Sequence, residues 1–114
     1  MRAFVINELC GPDGGAVTDV PEPAGAHPWA DGRRLLIEVY AAGVSFPDLL
    51  QSRGEYQHSV PTPYVCGGEV AGVVLEAPEG SRFVPGDRVA GPVSISGSVV
   101  WLVSCDCRGR PARA

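Results

Sequence analysis

Few side chains in this chain have the chemistry and the surroundings to form a site. One group is Ser45, Asp48 and Tyr56, a hydroxyl, a carboxylate and a phenol within twelve residues. A hydroxyl three residues ahead of a carboxylate, at the start of a short apolar stretch, reads first as a helix cap. The Ser45 hydroxyl sits at the helix entrance and Asp48 near its positive end. The same pair can also orient or polarise a bound molecule. The four cysteines, Cys10, Cys66, Cys105 and Cys107, lack the paired C-x-x-C spacing of a structural zinc site, and reduced thiols are expected. His27 and His58 lie in proline-neighboured, loop-like surroundings and read as surface residues. All nine basic residues are Arg, so Schiff-base chemistry and a phosphate-loop lysine are excluded.

The elements that must position these residues are short. Gly (15) and Pro (11) are spread along 114 residues, which suits many turns between strands better than long helices. Residues 2–7 read as a strand burying Ala3, Val5, Phe4 and Ile6. A Gly11-Pro12-Asp13-Gly14-Gly15 turn leads to a second strand over 16–20 and a Pro/Ala/Gly-rich loop over 21–32. Residues 33–41 carry the strongest strand signal, with Leu35, Ile37 and Val39 alternating with Arg34, Leu36, Glu38 and Tyr40. About two helical turns fit between Ser45 and the stop signal Gly54. Val60-Pro61-Thr62-Pro63 favours extended backbone. Residues 67–76 form a strand whose small residues permit close backbone packing. Turns at Pro78-Glu79-Gly80 and Pro85-Gly86-Asp87 precede a further strand from Arg88. About six short strands and a helical turn or two predict a mainly β domain, a small barrel or sandwich.

One domain is expected from the length, and it can bury roughly two-thirds of its unfolded surface. The net charge of −4 argues against a general nucleic-acid surface. The N-terminus is too short in its apolar stretch for a secretory signal, and no run is long enough to cross a membrane, so a cytoplasmic location is expected. Charge changes along the chain: residues 1–104 carry −6, residues 105–114 carry +2. Residues 94–103 can form a strand, and 105–114 have no periodicity and are expected to be disordered.

Three segments together carry a family resemblance. They are Ala41-Ala42-Gly43-Val44-Ser45-Phe46-Pro47-Asp48 with Gly54-Glu55-Tyr56, then Pro63 to Val74 (PYVCGGEVAGVV), then Val84-Pro85-Gly86-Asp87-Arg88-Val89-Ala90. In order and spacing the chain resembles the medium-chain dehydrogenase/reductase family over residues 1–92. The resemblance implies a GroES-like, partly open β-barrel with one or two short helical turns. Where the zinc-dependent members of that family place a cysteine and a histidine ligand, this chain has Ser45 and Gly68. A hydroxyl is a poor zinc ligand and glycine has no side chain, so no metal is expected. What remains is similar to the zinc-free quinone reductases.

That resemblance implies Ser45, Asp48 and Tyr56 as the catalytic edge of the cleft, with Ser45 beside the nicotinamide of NADPH. It implies hydride transfer to a quinone or activated alkene as the chemistry. A tyrosine common in those enzymes two residues after the Asp is Leu50 here, and a structural role within the barrel is expected for Glu69. No glycine-rich strand–turn–helix segment of a Rossmann domain is present, so the chain alone is expected neither to bind NADPH nor to catalyse. A truncated or frameshifted reading frame is the expectation for its ending. The alternative is a stand-alone GroES-like β-domain that binds a partner or small molecule; a co-chaperonin reading lacks a mobile apolar loop. The resemblance also implies strands added from beyond the cofactor domain; without them an open edge would remain here, and homo-association is expected.

Overall fold

The computed structural model describes residues 1–21 and 35–93. The elements run β1 (Arg2–Ile6), a 3₁₀ turn (Pro12–Gly14), β2 (Gly15–Asp19), β3 (Leu36–Gly43), α1 (Phe46–Ser52), β4 (Tyr64–Val65), β5 (Glu69–Glu76) and β6 (Arg88–Pro92). The architecture is mainly β, as expected from the sequence. Among the described residues the strands form two antiparallel three-stranded sheets, ordered β2-β1-β4 and β3-β5-β6.

The first sheet grows from the Gly-rich turn. Ile6 pairs with Gly15 on one side and with Tyr64 on the other, so the short strand after the prolines is held against β1. Sequence reading left residues 60–63 extended without assigning this strand. Two residues of ladder are too few to show periodicity. Val5 and Ile6 are buried, but Ala3 is half-buried and Phe4 is exposed. Phe4 lies over Gly15, where a side chain would collide with its ring, and the opposing β2 is exposed over most of its length.

The second sheet depends on a close approach. A Cβ on Gly72 would collide with the carbonyl oxygen of Glu38, so β5 can lie against β3 only because this position is glycine. That is the role expected of the small residues in 67–76. The ladder is irregular in two places: Val39 pairs with Gly72 and Ala41 with Ala71, which leaves Tyr40 as an extra residue on β3, and a second shift leaves Leu75 extra on β5. Such bulges bend a strand and re-aim its side chains. As a result the apolar alternation of β3 does not map onto one buried face, and Val39 and Tyr40 are exposed. Among the described residues the buried apolar ones are Val5, Ile6, Tyr64, Val74 and Val89. The strand expected over 94–103, the loop over 22–32 and the tail over 105–114 fall outside the described residues.

Candidate functional site

The end of β3 delivers the chain to α1 through Val44 and Ser45. Ser45 has extended backbone (φ −127°, ψ 170°) and stands immediately before the first helical residue, with Pro47 in the first turn. Asp48, at the third helical position, turns back onto it. The Ser45 backbone N–H donates to Asp48 Oδ2 at 2.7 Å, and the Ser45 hydroxyl donates to the same oxygen at 2.9 Å. Both are charge-assisted hydrogen bonds. The carboxylate therefore closes the helix entrance, the capping role expected of this pair.

The helix ends as deliberately as it begins. Gly54 N–H donates to the Gln51 carbonyl at 3.0 Å and Glu55 N–H to the Leu50 carbonyl at 2.9 Å, with Gly54 at φ +72°. This is a Schellman ending, which calls for a residue that tolerates positive φ. The Ser52 carbonyl accepts from Gly11 N–H at 3.0 Å, tying the end of α1 to the turn before β2.

The face that α1 buries is polar. Asp48 (6 % exposed), Gln51 (9 %) and Ser52 (2 %) are buried, while Phe46 is 68 % exposed. A packing helix normally does the reverse. Sequence reading missed Gln51 because its polarity suggested solvent. Ser52 is satisfied, its hydroxyl donating to the Leu49 carbonyl at 2.7 Å. Gln51 Nε2 and the Tyr64 hydroxyl are buried and have no hydrogen-bond partner among the described residues.

Beside Asp48 lie residues of the PYVCGGE segment. A Cβ on Gly68 would sit 3.7 Å from Asp48 Oδ1, in ordinary contact. The Tyr64 phenol is pushed up to about 12, by burial first and then by the charges of Cys66 and Asp48. The half-buried Cys66 thiol is also pushed up, by burial first and then by Asp48, with the backbone of Gly67 pulling the other way. Ser45, Asp48, Tyr64, Cys66 and Gly68 thus form one neighbourhood centred on the carboxylate. Tyr64 is a member that sequence reading missed. Its place directly after Pro63, inside a motif quoted for other residues, was the available signal.

Tyr56 is half-buried. Its ring meets that of His58 edge-on, 5.9 Å between centroids and 70° between planes. No hydrogen bond joins it to Ser45 or Asp48 among the described residues. His58 is exposed, as expected. Glu69 differs from expectation: it is exposed, and its carboxylate makes no hydrogen bond among the described residues. It begins β5 between Gly43 and Pro92, and its side chain lies over Gly43, where a Cβ would come 3.1 Å from Glu69 Oε2. No three His, Cys, Asp or Glu side chains among the described residues are grouped to hold a metal ion. No helix among them is long and apolar enough to cross a membrane.

Residues 31–111 match the alcohol dehydrogenase GroES-like domain. The chain belongs to that family. The match runs past residue 92, where the family motifs of the sequence end. Quinone oxidoreductase-like protein 2 of Rattus norvegicus is 39 % identical over 92 residues, covering 79 % of this chain and 24 % of that protein. Acryloyl-coenzyme A reductase of Metallosphaera sedula is 45 % identical over 56 residues, covering 48 % of this chain and 17 % of that protein. Among solved structures, a probable oxidoreductase from Mycobacterium abscessus superimposes with a TM-score of 0.74 at 47 % identity, covering 86 % of this chain and 30 % of that one. The quinone oxidoreductase of Thermus thermophilus, also solved with NADPH, gives 0.60 at 33 % identity, covering 82 % and 26 %. This GroES-like chain therefore corresponds to the N-terminal part of quinone oxidoreductase-like medium-chain dehydrogenases/reductases. It spans about a quarter of the length of these relatives.

Proposed function

We propose that this GroES-like domain is the substrate-side part of a zinc-independent, NADPH-dependent reductase of quinones or activated alkenes, and that it is inactive by itself. The observation that carries the reading is the Ser45–Asp48 pair beside Gly68. By the family resemblance, Ser45 and Gly68 stand at two zinc-ligand positions, and here they meet at a carboxylate instead. A catalytic zinc takes three protein ligands. Asp48 is committed to Ser45, Gly68 has no side chain, and the raised Cys66 thiol is a poor source of thiolate. The residues present do not fit zinc.

NADPH, when bound by the complete protein, supplies the hydride. The residues of this chain bind and orient. The Ser45 O–H is spent on Asp48, so what Ser45 Oγ offers a ligand is its lone pairs, suited to an amide N–H such as that of a nicotinamide carboxamide. Ser45 is then an orienting acceptor rather than the donor to a developing oxyanion. Exposed Val44 and Phe46 supply apolar surface for a ring, and Tyr56 supplies wall.

Two measurements on the 114-residue chain test this. Fluorescence titration with NADPH is expected to show no submillimolar binding, and elemental analysis is expected to find zinc far below one equivalent. Submillimolar NADPH affinity would refute the division of labour, and stoichiometric, chelator-resistant zinc would refute the metal-free site.

A further inference from the structure

β3 is an edge strand: among the described residues it is hydrogen-bonded to β5 alone. An edge strand presents a row of backbone N–H and C=O groups that can pair with another strand, and proteins defend it with charge, proline, a bulge or shortness. The other described edges are defended. β2 has five residues and ends on Asp19, β4 has two residues, and β6 runs from Arg88 to Pro92. β3 has eight residues and no proline, and its one charge, Glu38, lies near its start. Its bulge at Tyr40 stops short of Ala41, Ala42 and Gly43, which pair regularly with β5.

The side chains along this edge are complementary to a second copy of themselves. Residues 38–43 are all exposed; Tyr40 is 72 % exposed, and Val44, directly after the strand, 87 %. Tyr40, Ala42 and Val44 alternate onto one face. In an antiparallel pair centred on Ala42, Tyr40 of each copy stands opposite Val44 of the other, and Ala41 opposite Gly43. Aromatic against β-branched is a favourable cross-strand pair, and the symmetry forms it on both sides of the centre. Between these pairs Ala42 meets only Ala42, so nothing bulky holds the backbones apart. No like charges are opposed. Glu38 lies outside residues 40–44, and its carboxylate accepts from the Tyr40 hydroxyl of its own strand at 3.4 Å. A basic strand would find one carboxylate at the margin and would leave the apolar pairs unmade.

We propose that the β3 edge is the interface of a two-fold dimer of this chain, in which residues 40–44 of two copies pair antiparallel about Ala42. Such an interface uses the same patch on both copies and therefore closes at two. This inference does not depend on the proposed enzymatic function.

Sedimentation equilibrium of the 114-residue chain is expected to show a monomer–dimer equilibrium. Ala42 is exposed, and Ala42→Lys or Ala42→Glu sets like charges against each other at the centre of the pair. Each variant alone should lose the dimer, and an equimolar mixture of the two should regain it. A parent chain that stays monomeric, species that grow beyond the dimer, single variants that dimerise like the parent, or a mixture that stays monomeric would each overturn the proposal. If a variant does not fold, isotope-filtered NMR on a mixture of labelled and unlabelled parent chain decides alone. Contacts between Tyr40 of one copy and Val44 of the other are expected there, and their absence would refute the pairing.

Discussion

Asp48→Ala removes the acceptor on which the entrance of α1 depends. Two hydrogen bonds are lost at once, from the Ser45 backbone N–H at 2.7 Å and from its hydroxyl at 2.9 Å. Hydrogen bonds to a charged group contribute about 1.5–3 kcal/mol each when shielded. Ser45 is exposed, however, so water takes over both donors in the variant, and the loss falls back toward the capping range of about 0.5–2 kcal/mol. Removing a buried charge recovers some stability and leaving a small cavity costs some. A net loss of about 1.5 kcal/mol follows, which for a domain of this size lowers the melting temperature by roughly 6–12 °C. Asp48→Asn keeps an acceptor oxygen for the Ser45 N–H and should lose about half as much. Thermal melts followed by circular dichroism at pH 7 measure both. An Asp48→Ala variant melting within 1–2 °C of the parent, on the scale of about 4–8 °C per kcal/mol, would refute the claim that this carboxylate holds the helix.

The same carboxylate adds to burial in raising the Cys66 thiol, so Asp48→Asn should shift the pH midpoint of Cys66 alkylation downward, as read by peptide mapping after iodoacetamide treatment. Tyr64 gives a linkage prediction. Its folded value, about 12, lies above the ordinary 10.0, so its contribution is complete below pH 10 and is lost as pH rises toward 12. The loss is on the order of 2 kcal/mol, and Tyr64→Phe should flatten this limb of the stability–pH curve; an unchanged limb would contradict the burial of the phenol. The exposed Val44, Phe46, Tyr40 and Val39 around the β3–α1 corner predict self-association. Sedimentation velocity is expected to show concentration-dependent mass, and replacing Val44 and Phe46 with Ser should reduce it.

The strand-rich architecture and the helix were legible because their signals are local. Ser45, Asp48 and Gly54 announce both ends of α1 through cap and stop chemistry that needs no tertiary partner. Gly72 could be expected to allow a close approach, although only the structure names the Glu38 carbonyl as what it approaches. The bulges at Tyr40 and Leu75 were invisible, since register is decided between strands and not within one. The inverted face of α1 was hidden for a different reason. Gln51 and Asp48 are polar, and polarity alone points to solvent, whereas here the fold buries them. Tyr64 is the corresponding omission in β4, a strand of two residues set by pairing with β1. The resemblance named Ser45, Asp48 and Tyr56. Hydrogen bonds join the first two, and the ring of Tyr56 meets His58.

In the proposed function the Ser45–Asp48 corner faces a quinone or related acceptor. Titrating the isotope-labelled 114-residue chain with a fully substituted quinone that cannot alkylate thiols, and following backbone amide shifts, examines this without any cofactor. Saturable shifts at millimolar quinone are expected, centred on Val44 to Asp48 and on Cys66 to Gly68, with Tyr56 at the margin. Saturable shifts confined to β2 or to the far end of β5, or no shifts at all, would contradict it.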